Sequence, residues 1–289
     1  MTGKLKLRVP TALEYFASLV ADDHSLPVLE AAMAVAQDAR PGLDTQAALA
    51  EVDAMAATLC QRLPSDAGAL QRLRLLNQYF FGELGFAGNV NDYYDPANSY
   101  LPDVLARRRG IPISLALLYI EIASQAGLQA MGVSFPGHFL VKLHMPQGEV
   151  VIDPLDGQSL SREQLDERLA PFRHQRGLVG DDEVPLGLFL QAAPPRDMLA
   201  RLLRNLKEIH RQAADLPRLL AVMERLVVLL PDDWRERRDR GLVRADLGRF
   251  DLACDDVRAY LAACPDEADV PALTRRLQRW QAEPRPPLH

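Results

Sequence analysis

Residues 107–156 have the sequence RRRGIPISLALLYIEIASQAGLQAMGVSFPGHFLVKLHMPQGEVVIDPLD, which contains the pattern that decides the fold. Pro112 stands at the first position of a predicted helix, where its missing N–H removes no hydrogen bond. The helix continues to about Ala126, is apolar almost all round and ends at Gly127. A helix of this kind is buried, so we expect it to be the central helix of its domain.

Three short β-forming segments follow this helix and predict an antiparallel meander packed against it. The predicted strands cover 129–135, 138–145 and 149–152, with a tight turn between the last two. His138 lies on the second predicted strand, and Asp153 ends the third. A helix and a small sheet that each have an apolar face are expected to bury those faces against each other.

Helical patterns dominate the rest of the chain. Residues 10–82 predict several helices, which we expect to form a helical subdomain that covers one side of the central helix and its sheet. The segment 81–102, FGELGFAGNVNDYYDPANSYLP, is rich in Gly, Asn, Asp and Pro and predicts a long loop. Its aromatic residues are consistent either with a packed connector or with the wall of a site. A short helix is expected from Ser161.

The C-terminal part has an internal period. Pro231 and Pro265 each begin a Pro-acidic-acidic motif and are 34 residues apart, the length of a tetratricopeptide repeat. Gly241, the turn 248–250 and Ala253 stand where such a repeat has small residues and its inter-helix turn. Arg240 and Arg244 replace apolar residues of the pattern. We therefore predict one complete repeat, one partial repeat and a closing helix.

These patterns predict an α+β, mostly helical protein with three parts. An N-terminal helical subdomain with the Asn-rich loop covers 1–100, a helix-and-sheet core covers 101–190, and repeat helices cover 196–283. The Gly-, Pro- and acid-containing segment 173–195 is the expected boundary before the repeats.

Composition excludes several classes of function. The chain has 289 residues, a formal net charge of −6 and a pI near 5.6, so it offers no electrostatic basis for binding nucleic acid or an anionic membrane. The N-terminal sequence has no apolar run long enough for a signal peptide. Three scattered cysteines predict reduced thiols and a cytoplasmic location. His138 and His144 are about 20 Å apart on one strand, so no metal site is expected, and no cofactor is expected either.

The runs GNVNDYYDPANSYLPDVLARRRGIPISLALLYIEIA, VSFPGHFLVKL and VIDPLDG resemble the bacterial SirB family. The resemblance implies a transglutaminase-like core followed by tetratricopeptide repeats. Active transglutaminase-like proteins carry a Cys, His and Asp in this order, with the Cys in a Gly-x-Cys pattern at the helix start. In this sequence the Cys position falls on Pro112, the His on His138 and the Asp on Asp153.

Proline has no nucleophilic atom, and Cys60 belongs to the predicted N-terminal helices and Cys254 and Cys264 to the repeats, so the inherited thiol chemistry is not expected. Ser114 is the replacement candidate, although two residues along a helix turn it about 200° away from Pro112. Its alternative role is to satisfy a free backbone N–H at the helix start. His138 and Asp153 are interpreted either as a structural pair or as a site for a polar ligand, and Asp153 alternatively as a simple Asp-Pro turn residue.

Two main functions follow from the sequence. The favoured one is a non-catalytic protein that acts through protein contacts of its repeat helices, and the family name points to regulation. The alternative is a hydrolase or acyltransferase that uses His138 and Asp153 with Ser114 or with water. Small-ligand sensing in the vestigial cleft is a third hypothesis.

Overall fold

The computed structural model describes residues 8–89, 91–178 and 184–282. Parts of the N-terminal sequence, of the expected boundary 173–195 and of the predicted repeat range 196–283 lie outside these residues. Within the described part of the chain, none of the helices is both long enough and apolar enough for a membrane crossing.

Contacts divide the chain into two compact units, one combining Met1–Ala21 with Leu203–His289 and the other formed by Asp22–Leu202. This division differs from the sequence-based boundaries at both ends. Helix α1 (Ala12–Leu19) belongs with the C-terminal helices, and the division falls inside a helix that begins at Pro195. The Arg225 guanidinium lies 5.7 Å from the ring centroid of the fully buried Phe16, which shows how α1 joins that unit.

The larger unit is built from helices and two small sheets. Its helices are α2 (Val28–Ala34), α3 (Thr45–Arg62), α4 (Ala69–Asn77), α5 (Leu101–Arg107), α6 (Pro112–Gln125), α7 (Arg162–Arg176) and α8 (Leu186–Phe189). Its strands are β1 (Ala87–Gly88), β2 (Arg109–Gly110), β3 (Gln129–Val133), β4 (Leu140–Met145) and β5 (Gly148–Ile152). Strands β1 and β2 are parallel, and β3-β4-β5 form the predicted antiparallel meander.

Helix α6 is the central helix, as its composition predicts. All its residues from Pro112 to Tyr119 are buried, and it contacts α3, β3 and β4. Each fully buried leucine or isoleucine side chain contributes roughly 1.5–3 kcal/mol. The Tyr119 hydroxyl donates a 2.6 Å hydrogen bond to the Asn77 amide oxygen, and burial raises the pKa of Tyr119. The hydroxyl of this buried tyrosine is therefore satisfied.

Three sequence-based details need correction. His138 precedes β4 and lies in a turn, because the turn at Pro136-Gly137 extends the connection and delays pairing until Leu140. The helix after Ser161 is long, continuing to Arg176 through Pro171. The segment 81–102 is not wholly irregular: residues Gln78–Glu83 form a π-helical turn, Ala87–Gly88 a strand and Pro96–Asn98 a 3₁₀ turn.

The second unit contains the helices α9 (Pro195–Gln212), which crosses the division, α10 (Leu216–Leu229), α11 (Trp234–Asp246), α12 (Phe250–Ala263) and α13 (Val270–Ala282). Gly241 lies where α11 approaches α12, since a Cβ atom there would come within 3.0 Å of the Asp256 and Val257 side chains. Gly248 makes the turn between the two helices with φ of +73°. These are the roles that the 34-residue period predicts for the two glycines.

Arg240 and Arg244 form a largely buried ion cluster in place of apolar repeat positions. Arg240 binds both carboxylate oxygens of Asp256, at 2.8 and 2.6 Å, and Arg244 binds one of them at 2.8 Å. All three side chains are at most 13% exposed. The α11–α12 pair is thus held by charge as well as by apolar contact.

Candidate functional site

The candidate site begins with the turn after β5. The Asp153 N–H donates to the Gln158 carbonyl at 2.9 Å, and the Asp153 carbonyl accepts from Gly157 N–H at 2.8 Å. Its Oδ1 accepts the Leu155 N–H at 3.1 Å, the local bond that an Asp before a proline commonly makes. Asp153 is therefore a turn residue, and the turn fixes the direction of its carboxylate.

His138 lies close to Asp153, in the turn before β4. Val141 pairs with Ile152 in the antiparallel register, so the residues before β4 and after β5 lie at one end of the sheet. The His138 Nε2 is 2.9 Å from Asp153 Oδ1. The His138 side chain is 21% exposed and that of Asp153 only 7% exposed, so the pair stands at the rim of the core.

A third side chain, Arg168 on α7, completes the cluster. Its Nη1 donates to Asp153 Oδ2 at 2.8 Å, so both carboxylate oxygens have charged or aromatic N–H partners. Burial by itself raises the pKa of Asp153, but the hydrogen bonds from His138 and Arg168 outweigh it and lower the pKa to about 2. The carboxylate is therefore ionised at neutral pH.

An ionised carboxylate only accepts hydrogen bonds, so His138 Nε2 must carry the proton in their bond. In the neutral imidazole the lone pair is then on Nδ1. Among the described residues, Nδ1 has no hydrogen-bond partner. This nitrogen is the atom of the cluster that is able to accept a proton or to bind a donor group.

Ser114 is directed elsewhere. It is fully buried, and its hydroxyl donates to the Asn98 carbonyl, with an Oγ–O distance of 2.6 Å. Its oxygen accepts the Ile111 N–H at 3.1 Å, and this N–H also donates to the Asn98 carbonyl at 3.3 Å. Among the described residues, Ser114 makes no hydrogen bond to His138 or Asp153. The structure thus brings together two of the three sequence-predicted site residues.

The Asn-rich loop is fixed against the start of α6. The Asn98 amide donates to the Asp92 carbonyl at 2.6 Å and accepts from the Asn89 side chain at 3.1 Å. The Gly88 N–H donates to the Leu155 carbonyl at 3.0 Å, which ties the loop to the turn that holds Asp153. The aromatic residues of the loop fit both alternatives, a packed connector and the wall of a site. Tyr100 is buried, whereas Tyr93 and Tyr94 are exposed.

Sequence reasoning missed Arg168. It lies 15 residues after Asp153 on a helix whose buried residues are Leu165, Leu169 and Arg173, and Arg168 itself is exposed. No local motif marks Arg168, because its contact with Asp153 depends on how α7 packs beside the meander. The described residues contain no group of three or more His, Cys, Asp or Glu side chains arranged to hold a metal ion.

Comparison with known proteins identifies the class. The family model described as Transglutaminase-like superfamily matches residues 46–204, and the model described as Tetratricopeptide repeat matches residues 206–278. The chain belongs to the transglutaminase-like superfamily. No solved structure matches the chain.

The relatives of this chain include the UPF0162 protein of Xylella fastidiosa, 38% identical over 86% of this chain and 88% of the relative. The UPF0162 protein PA3419 of Pseudomonas aeruginosa is 31% identical over 79% of this chain and 85% of the relative. Protein SirB1 of Salmonella typhimurium is 27% identical over 68% of this chain and 71% of the relative. The predicted resemblance to SirB and the predicted order of domains are confirmed.

Proposed function

We propose that this transglutaminase-like protein is non-catalytic and acts through contacts with a partner protein, with a regulatory outcome. One observation supports this most directly. The inherited nucleophile position is Pro112, which has no reactive atom. The replacement candidate is Ser114, and its hydroxyl donates its proton to the Asn98 carbonyl. Serine catalysis requires that hydroxyl to donate to a base instead.

The His138–Asp153–Arg168 cluster then has a structural role. It connects the turn before β4, the turn after β5 and helix α7 through two hydrogen bonds to one carboxylate. A buried carboxylate with all its partners rigidifies its surroundings, since leaving it unpaired is costly. This role accounts for the presence of His138 and Asp153 without catalysis.

The repeat helices are the proposed contact surface, because stacked helix pairs form extended binding surfaces. Arg235 on α11 and Leu252 on α12 are exposed, at 68% for the Arg235 side chain and 45% for Leu252. We place the protein in the cytoplasm, which is supported by the free thiols of Cys60, Cys254 and Cys264.

The test combines two measurements on the full-length protein. A serine-directed fluorophosphonate is expected to leave Ser114 unlabelled, and affinity capture followed by gel filtration is expected to yield a complex of fixed stoichiometry. The complex should weaken in Arg235→Asp or Leu252→Asp and persist in the matched site variant His138→Ala. Labelling of Ser114 that disappears in His138→Ala would overturn the proposal.

One observation favours the alternative of a hydrolase or acyltransferase that activates water. Asp153 orients His138 so that its Nδ1 holds the lone pair at a partly exposed position, which is the arrangement of a general base. This version predicts turnover of activated esters or amides that is lost in both His138→Ala and Asp153→Asn. Equal rates for these variants and the wild type would exclude it.

A further inference from the structure

Strand β3 forms one edge of the three-stranded sheet, and the register shows which of its backbone groups point outward. The Leu160 N–H donates to the Val151 carbonyl at 2.8 Å on the outer side of β5. Val151 and its opposite residue Lys142 therefore do not bond to each other, so Lys142 directs its backbone groups toward β3 and Met131. Because direction alternates along a strand, the neighbours of Met131 on β3 point their backbone groups away from the sheet.

Those neighbours are Ala130 and Gly132. The Gly132 carbonyl accepts the Ala193 N–H at 2.8 Å, which confirms its outward direction. This pairing stops after one hydrogen bond, since Pro194 has no N–H and α9 begins at Pro195. The Ala130 N–H and carbonyl have no hydrogen-bond partner among the described residues. An unfinished strand position therefore lies beside β3.

A groove of about 600 Å³ lies along this edge. Ala130 and Met131 form part of one wall. The rest is mainly apolar and includes Leu29, Leu117, Ile120, Pro194 and Met198. Glu121 on α6 is the charged residue of the lining. One of its carboxylate oxygens accepts from the Gln125 amide at 2.8 Å, and the other has no partner in the described part of the chain.

Strand β3 also lacks the features that usually prevent edge pairing. Its sequence is QAMGV, without a proline or a charged residue. Natural sheets commonly place lysine or proline on an edge strand to prevent association with another chain. An edge with free donor and acceptor groups beside an apolar groove is the arrangement that binds extended peptides by strand addition.

We infer that this groove binds an extended segment of a partner protein, which adds as a strand beside β3. The segment pairs its backbone with Ala130, places an apolar side chain against Ile120 and Met198, and carries a lysine or arginine opposite Glu121. The inference rests on the proposed function in taking the partner to be a protein. The inference places this peptide contact at the β3 edge. The contact proposed for the repeat helices is a separate one.

The test uses a phage-displayed library of random 12-residue peptides, selected on the full-length protein. Selected peptides are expected to share an apolar residue and a basic residue and to slow hydrogen exchange of the Ala130 amide. Ala130→Pro removes one outward N–H and no hydrogen bond of the sheet, so the fold should tolerate it. The substitution is expected to weaken the binding of these peptides about tenfold, because it removes one hydrogen bond to the added strand and disturbs the pairing beside it.

Two further variants keep the test decisive if Ala130→Pro is unstable. Glu121→Gln should weaken basic peptides about threefold, the usual value of a partly exposed ion pair. Ala130→Val keeps the N–H and is the matched control. The inference is overturned if no peptide is selected, or if selected peptides leave Ala130 exchange unchanged. Loss of complex formation in Arg235→Asp or Leu252→Asp tests the repeat surface separately, so the two proposals fail independently.

Discussion

The Ser114 hydroxyl donates a 2.6 Å hydrogen bond to the Asn98 carbonyl, 16 residues earlier in the chain. This bond joins the first turn of α6 to the Asn-rich loop, and it uses the proton that a serine nucleophile would have to give to a base. The same oxygen accepts the Ile111 N–H, so a single buried atom satisfies groups on both segments. The bond therefore gives the serine at this position a structural role.

Ser114→Ala should lower the free energy of unfolding by about 1–2 kcal/mol, because it removes two buried hydrogen bonds and leaves the Ile111 N–H and the Asn98 carbonyl with only the 3.3 Å bond between them. Urea unfolding monitored by circular dichroism measures the change. Ser124→Ala, an exposed serine on the same helix, is the control and should stay within about 0.5 kcal/mol of the wild type. Equal effects of the two substitutions would contradict the structural role of Ser114.

The stability of the protein should depend on pH through Asp153. Its pKa is about 2 in the folded state against an ordinary value of 3.8, so the unfolded state binds the proton first as the pH falls. The stabilisation, about 2 kcal/mol, is complete above roughly pH 4 and is lost as the pH falls toward 2. Urea unfolding between pH 6 and pH 2.5 measures the stability difference between wild type and Asp153→Asn, and this difference should shrink as the pH falls. A constant stability difference across this pH range would contradict the stabilising role of the Asp153 carboxylate.

Arg168→Met should destabilise the fold and shift its acid sensitivity upward. The substitution removes the partner of Asp153 Oδ2, and because Arg168 is 42% exposed the expected loss is only about 1 kcal/mol. Without Arg168 the pKa of Asp153 should rise, so acid unfolding should begin at higher pH. Arg162→Met, at an exposed position on the same helix, should produce neither effect.

Gly157→Ala should be more disruptive than a glycine substitution at a comparable turn. Gly157 has φ of +76°, and an added Cβ would come within 2.5 Å of the Phe81 ring. Backbone strain and overpacking together predict a loss of about 3 kcal/mol. Gly177→Ala shares the positive φ but has open space, so its loss should be about 1 kcal/mol. Thermal unfolding of both variants separates the contact from the strain.

Asp256→Ala should strongly destabilise the repeat helices. It leaves Arg240 and Arg244 nearly buried without their shared carboxylate, which typically costs about 3–5 kcal/mol. Its neighbour Asp255 is 70% exposed and pairs with Arg258 at the surface, so Asp255→Ala should cost less than about 1 kcal/mol. Amide hydrogen exchange across α11 and α12 reports the loss. A small effect of Asp256→Ala would show that the cluster contributes little net stability.

Short-range patterns predicted much of the fold. The proline that begins α6, its continuous apolar character and the turn before β5 each depend on neighbouring residues, and each is present in the structure. The 34-residue period likewise predicted the roles of Gly241 and Gly248, since a repeat constrains residues at fixed spacing. The approach of His138 to Asp153 follows from the order of strands in a meander.

The sequence by itself determined the central helix, the meander and the repeat helices, because hydrophobic periodicity and turn residues act over a few positions. Only the tertiary structure decided that Arg168 binds Asp153, that Ser114 binds Asn98 and that α1 groups with the C-terminal helices. These relationships join residues whose own neighbours carry no sign of the partner. They arise when elements pack, because buried polar atoms must then find partners wherever the fold provides them.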